Sequence, residues 1–227
     1  MKKLLIIGGG TAGTMMANKF RKALEKDEWE ITIDDKHKTH YYQPGFLFIP
    51  FGIYSKNDVI KPKGDFFPAG VKVVYSDIDR IEAEINVVHL EGGKILHYDF
   101  LIIATGAETR PDQTPGLKEG LWRKKIFDFY TIEGAVALHN FFKNWEGGKL
   151  VMAISEIPYK CPVAPIEFVC LADDYFTKKG IRDKVEISLV TPMSGAFTKP
   201  IATKMLSELL KEKNIEVIPD FYVEKID

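Results

Sequence analysis

The sequence predicts an α/β fold built on parallel sheets, and three stretches predict it. "KKLLIIGGGTAGTMMANKFRKAL" reads as strand, glycine turn and helix; "YDFLIIATGAETRP" reads as another buried strand, Leu101 to Ala104, closed by Thr105 and Gly106. From Gly147 onward the chain alternates strand, helix, strand, helix, strand as far as Phe221. Strands that alternate with helices pair in parallel and carry the helices on their faces. A chain of 227 residues is long enough for one large domain or two small ones.

The first element is Leu4 to Ile7, a continuous apolar run of the kind a strand buried on both faces requires. Gly8, Gly10 and Gly13 follow as G-x-G-x-x-G, and Met16, Ala17 and Phe20 then recur at helical spacing. Each glycine has a physical task. Gly8 permits the tight turn, Gly10 lets backbone approach a pyrophosphate, and Gly13 lets the helix lie close to the strand. The helix N-terminus turns its N–H groups and its positive dipole end toward the phosphates.

The second strand, "EWEITIDD", ends in an acid that can accept hydrogen bonds from ribose hydroxyls. Asp35 lies 22 residues past Gly13, near the ~20 this fingerprint expects. Asp34 competes with it but sits where the strand is still running, so Asp35 is preferred. Between Gly64 and Asp99 the pattern reads as antiparallel strands, with "EGGK" as a hairpin turn.

In the second half, "GGKLVMAIS" (147 to 155), "KVEISLVTP" (184 to 192) and "IEVIPDF" (215 to 221) are strands, with helices from about Pro165 and Lys199 between them. Phe168, Leu171, Ala172, Tyr175 and Phe176 mark one face of the first of these helices, and Pro165 suits its first turn, where a missing N–H costs nothing. A nucleotide-binding unit would carry glycines at the first turn and an acid after the second strand. Here the turn is "EIPYKCPVAP" and the second strand ends in Thr191 and Pro192. Prolines stiffen that loop and remove N–H donors, so it cannot wrap a pyrophosphate. A second unit with nucleotide-binding topology and no bound nicotinamide is expected.

Cys161 stands in that turn, four residues before the expected helix start and beside Lys160. A neighbouring cation and the positive end of a helix both favour thiolate, the reactive form. An inert buried cysteine is the alternative. Cys170 falls inside the helix and reads as packing; a bond between the two would need their Cα atoms to approach to ~6 Å, which the helix opposes. Glu167 is a candidate for proton handling, or it simply complements the helix dipole.

Composition excludes other classes. Lys+Arg of 31 against Asp+Glu of 32 leaves a net charge of −1 and no basic surface for nucleic acid. Two cysteines are too few for a disulfide scaffold, which points to a reducing compartment. The apolar run after Lys3 is too short for a signal peptide, and no stretch reaches the roughly 18 apolar residues of a spanning helix. The chain is expected to be cytoplasmic, soluble or attached to a membrane face. No metal site is expected.

The G-x-G-x-x-G turn, the strand-end acid and "DFLIIATG" together resemble the flavoprotein disulfide reductase superfamily, whose members have two dinucleotide-binding domains. "HYYQPG", "FYTIEGA" and above all "YKCPVAPIEF" narrow the resemblance to sulfide:quinone oxidoreductase, with the flavoprotein subunit of flavocytochrome c sulfide dehydrogenase as a relative. The fold implied is α/β: two Rossmann-like dinucleotide-binding domains, the second incomplete, with a β-meander inserted in the first. The domains expected are an FAD-binding one over 1–110, a connecting segment over 111–146 and a second, dinucleotide-binding-like one over 147–227 without the NAD fingerprint.

The resemblance implies FAD at the first site, contacted by Gly8, Gly10, Ala12 and Gly13, by Asp35 and Lys36, by Pro44, and by Thr105 and Gly106. The aromatic segment "KHKTHYYQPGFLFIPFG" would run beside the isoalloxazine ring. Tyr41, Phe46 and Phe48 in it can equally be core, and "GFLFIPFGIY" can equally be an apolar patch for a membrane. The activity implied is two-electron oxidation of sulfide to polysulfide or sulfur. Cys161 would hold sulfur on one face of the flavin, with a quinone on the other. A peripheral place on the inner face of the cell membrane follows from the same resemblance, and a homo-oligomer is left open. Family members are longer than this chain. The sequence therefore reads as an N-terminal piece, for which weak FAD binding and little turnover alone are expected. Competing readings are a non-catalytic FAD- or partner-binding fragment and a type II NADH:quinone dehydrogenase, which would need the glycine turn that "EIPYKCPVAP" replaces.

Overall fold

A computed structural model describes residues 1–227. The chain divides into two compact units, one of residues 1–42 and 57–108, the other of residues 43–56 and 109–227.

In the first unit, β1 (Lys2–Ile7) runs into a turn and α1 (Thr11–Ala23), and β2 (Trp29–Asp34) follows. A short hairpin pairs β3 (Thr39–Tyr41) with β4 (Ile60–Pro62). Then come β5 (Val71–Val74), β6 (Ile78–Glu82), β7 (Val87–Leu90), β8 (Ile95–His97) and β9 (Phe100–Ile103). The main sheet is parallel throughout, in the order β5-β2-β1-β9. Its centre explains the unbroken apolar run of β1. Leu4 and Ile6 pack with Ala17, Ile31 and Ile33 under α1, while Leu5 and Ile7 pack with Val88, Leu90 and Tyr98 under the meander β6-β7-β8.

Two expectations about this unit need correction. The antiparallel meander is shorter than the pattern predicts, because Val71–Val74 joins the parallel sheet beside β2. An alternating run marks a strand but not its direction. The strand at Leu101 is also not buried: Ile103 is 64% exposed, because β9 is the edge of the sheet and has a partner on one side only. On α1, Met16 faces solvent although it falls at helical spacing with Ala17.

In the second unit, α2 (Ile132–Asn144) precedes β10 (Gly148–Ala153), α3 (Ala164–Lys178), β11 (Val185–Val190), α4 (Pro200–Glu212) and β12 (Ile215–Ile218). The three strands form a parallel sheet, β10-β11-β12, as the alternation predicts. Thr131 caps α2 by accepting the Gly134 N–H at 3.0 Å, and the Asp128 carboxylate accepts the N–H groups of Tyr130 and Thr131. The cap packs so closely that a Cβ on Gly134 would fall 2.3 Å from Asp128 Oδ2.

Aromatic rings fill this unit. Phe142 of α2 is fully buried and meets Phe168, Tyr175 and Phe176 of α3. Phe51 joins them from residues 43–56. That segment settles the alternatives for "GFLFIPFGIY": Phe46, Leu47, Ile49 and Phe51 are core, Phe48 is half-buried against Tyr54, and only Gly52, Ile53 and Tyr54 are exposed. The membrane-patch alternative therefore fails for most of its residues.

Candidate functional site

At the glycine turn of the first unit, Gly8 has φ +95°, a left-handed conformation, and a Cβ there would lie 2.3 Å from the Ala104 carbonyl oxygen. Gly13 is closer still: its Cβ would meet the Gly8 carbonyl oxygen at 1.8 Å. These two glycines let the β1–α1 turn close against the end of β9 and let α1 lie on β1. Gly10 differs. It forms the N-cap of α1 and no heavy atom comes within 4 Å of where its Cβ would be. The space over Gly10 is open, the first turn of α1 holds no acid, and no side chain caps its N–H groups. A pyrophosphate fits such a cradle by geometry and by charge. Ala12 is exposed in this first turn, and Thr105 and Gly106 are exposed just past β9 on the same edge.

The acid at the end of β2 is held in place. Asp35 accepts the Gly9 N–H and the His37 N–H, and it pairs with Lys63 Nζ at 2.6 Å. Burial alone would push this carboxyl up, but the Lys63 bond and the two N–H bonds outweigh it and hold it below its ordinary range. One lone-pair direction on Oδ2 remains for a ribose hydroxyl. Lys36 is exposed beside it. Asp34, one residue earlier, has the opposite environment. It is 1% exposed and neither carboxylate oxygen has a hydrogen-bond partner. Burial, and then the charge of Asp35, raise it to about 6, although Lys94 opposes the rise.

Pro44 belongs to the second unit, as do Cys161 and Glu167. The first six candidates in chain order (Gly8, Gly10, Ala12, Gly13, Asp35, Lys36) together with Thr105 and Gly106 belong to the first. Cys161 is exposed, has φ +57° and stands three residues before α3 rather than four. The Ile157–Pro158 peptide in the same loop is cis. The Lys160 ammonium is engaged by the side-chain carbonyl of Gln43. Tyr130 Oη donates to the Lys160 carbonyl at 2.7 Å, and Tyr159 Oη donates to the Pro162 carbonyl at 3.1 Å. Glu167 is exposed in the first turn of α3. Cys170 is a free thiol like Cys161, half-buried, and burial pushes it up. β11 runs out into a buried Thr191, whose Oγ1 accepts the Met193 N–H.

Sequence reasoning missed Lys63, Tyr130 and Tyr159. Nothing in "KPKGD" separates Lys63 from Lys61, since the distinction is burial, which depends on the fold. Tyr159 was legible in principle, two residues from the cysteine and between rigid prolines. Tyr130 is 31 residues from the cysteine and was not.

Residues 2–140 match the model of the family described as pyridine nucleotide-disulphide oxidoreductase. The chain belongs to this family. It is an oxidoreductase family, and membership implies a flavin cofactor. The chain is 30% identical over 214 residues to the mitochondrial sulfide:quinone oxidoreductase of Dictyostelium discoideum, which covers 94% of this chain and 47% of that protein. A type II NADH:quinone oxidoreductase of Staphylococcus haemolyticus is also 30% identical, but over only 52% of this chain and 29% of its own length. Among solved structures, the sulfide:quinone oxidoreductase of Aquifex aeolicus superposes with a TM-score of 0.85 at 22% identity, covering the whole of this chain and 53% of that one. The chain spans about half the length of the curated relatives it matches. No helix is long and apolar enough to cross a membrane.

Proposed function

We propose that this protein binds FAD in its first unit and takes part in the oxidation of sulfide to polysulfide or sulfur, with a quinone as the electron acceptor. The observation that carries this reading is the β10–α3 turn, which presents an exposed cysteine where a nicotinamide-binding unit would present glycines. The similarity to sulfide:quinone oxidoreductases along 94% of the chain supports it.

Gly8, Gly10 and Gly13 give the pyrophosphate its approach, Ala12 and the rest of the first turn of α1 supply N–H groups, and Asp35 takes a ribose hydroxyl. Lys36, Thr105 and Gly106 line the same edge, and Pro44 is carried over as a contact on the resemblance alone. A bound flavin would supply the two-electron acceptor between sulfide and quinone. Cys161 supplies the sulfur. Its thiolate joins hydrosulfide through a new sulfur–sulfur bond, giving a persulfide, two electrons and one proton. Glu167, exposed in the first turn of α3, is a candidate to take that proton. Each further hydrosulfide that lengthens the chain toward polysulfide gives up another two electrons and one proton, again with the quinone as the final acceptor. The domain organisation proposed with this function is 1–110 for FAD and 147–227 for the cysteine turn, joined by 111–146. A peripheral position on the inner face of the cell membrane belongs to the same proposal.

A type II NADH:quinone dehydrogenase is the competing enzyme. The proline-rich turn and Thr191 at the end of β11 argue against a nicotinamide there. A chain that binds FAD or a partner and turns nothing over is the competing non-enzyme, and the half-length match favours keeping it in view. Peptide mass spectrometry distinguishes these readings. After anaerobic exposure to sulfide in the presence of FAD, Cys161 gains a sulfur atom while Cys170 does not. If Cys161 stays unmodified while the protein carries its flavin, the sulfide reading is wrong.

A further inference from the structure

We propose that Tyr130 and Tyr159 are positioning residues for Cys161, fixing the backbone on both sides of its sulfur. The inference rests on the reading of Cys161 as the sulfur-handling thiol and adds to it the residues that hold that thiol in place. Three successive carbonyls around the cysteine are engaged. The carbonyl of Lys160 accepts from Tyr130, that of Cys161 accepts from the Ala164 N–H at 3.1 Å, and that of Pro162 accepts from Tyr159. The sulfur is left as the open group of the turn.

Cys161 needs such support. Its φ of +57° is left-handed, a conformation in which the Cβ crowds the following carbonyl oxygen. A non-glycine residue persists there only where its surroundings over-determine it. Tyr130 provides a rigid mount. Its ring stacks on Phe129 at 5.0 Å, and Phe129 stacks on Phe168 of α3 at 4.8 Å with the planes only 5° apart. The hydroxyl that reaches the Lys160 carbonyl is thereby tied to the aromatic core. Tyr159 closes the other side from within the loop. For both phenols burial comes first and the neighbouring Cys161 second in resisting ionisation, so they remain O–H donors through the neutral range.

The chemistry follows from charge. A carbonyl oxygen beside a thiolate opposes it, and an O–H that engages that oxygen weakens the opposition. The two tyrosines therefore do more than brace the loop, since their O–H dipoles partly offset the negative ends of the two carbonyls that flank the cysteine in the chain.

Labelling of the full chain with iodoacetamide tests this, with Cys161 and Cys170 followed separately at the peptide level between about pH 6 and pH 9, the range in which thiols titrate. Wild-type Cys161 labels faster than glutathione. Tyr130→Phe keeps the ring on Phe129 and removes only the hydroxyl; Tyr159→Phe does the same on the other side. Each slows Cys161 about fivefold at neutral pH, the equivalent of one net hydrogen bond, and moves its rate profile to higher pH. The rate at Cys170 and the melting temperature stay where they were. An unchanged Cys161 profile in both variants overturns the proposal. So does faster Cys170 labelling, which would mean that the tyrosines merely hold the unit together. Wild-type Cys161 no faster than glutathione instead overturns the reading of the cysteine itself, and with it any need for positioning.

Discussion

Asp34 and Asp35 are neighbours with opposite pH behaviour. Asp35 is held below its ordinary range by Lys63, His37 and Gly9. The stability it contributes is present above the unfolded carboxylate value and is lost as pH falls through its lower folded value. Asp34 is raised from 3.8 to about 6 by burial. The folded state then holds a proton that the unfolded state releases, so its cost is absent at low pH and grows as pH rises from 3.8 to about 6. Replacing the carboxylate by its neutral isostere removes that cost. Asp34→Asn is expected to stabilise the protein at pH 7 by about 1–3 kcal/mol and to do almost nothing near pH 4. Thermal melts at the two pH values check this, and an equal difference at both would show that charge is not the cause. Asp35→Asn removes the charge proposed to meet the ribose. FAD affinity, followed by quenching of flavin fluorescence, should fall about 10- to 100-fold, the worth of one charged hydrogen bond.

At the scale of elements, two βα turns on similar strands carry different chemistry. The β1–α1 turn is built from glycines with separable tasks. Gly13→Ala forces a Cβ into the Gly8 carbonyl and should lower stability by about 1–3 kcal/mol or more, as overpacking does. Gly10→Ala meets nothing in the protein. It should leave the melting temperature unchanged and yet weaken FAD binding at least tenfold, about the effect of blocking one close backbone approach. Thermal melts paired with flavin titrations separate the two, and if Gly10→Ala binds FAD normally the cradle is not the cofactor site. The β10–α3 turn has prolines and a cysteine instead. Both turns were legible, because glycine, proline and the apolar runs beside them punctuate the chain locally. So were the strands of the second sheet and the starts of α3 and α4. The direction of β5 was not, since alternation has no polarity. The exposure of β9 was not, since an edge strand and a central strand read alike. The fate of residues 43–56 was open because an aromatic run looks the same in a core and on a surface. Lys63 and Tyr130 reach the site through tertiary packing, of which no local pattern carries a trace.

At the scale of the whole chain, one unit offers a cradle with the shape and charge for a dinucleotide, and the other offers a sulfur where a second cradle would be. The first unit's glycine turn and strand-end acid suit a dinucleotide, and the family match implies that it is a flavin. The second unit's sheet has nucleotide-binding topology, yet Cys161 and the prolines occupy its first turn and Thr191 ends its second strand. In the proposed reading, that combination distinguishes oxidation of sulfide from oxidation of a nicotinamide. The most direct measurement is the visible spectrum of the FAD-loaded protein under anaerobic conditions, mixed in turn with sulfide and with NADH. The account predicts that sulfide bleaches the flavin bands, that NADH does not, and that Cys161→Ser abolishes the bleaching. Bleaching by NADH, or bleaching by sulfide that survives loss of the thiol, would contradict it.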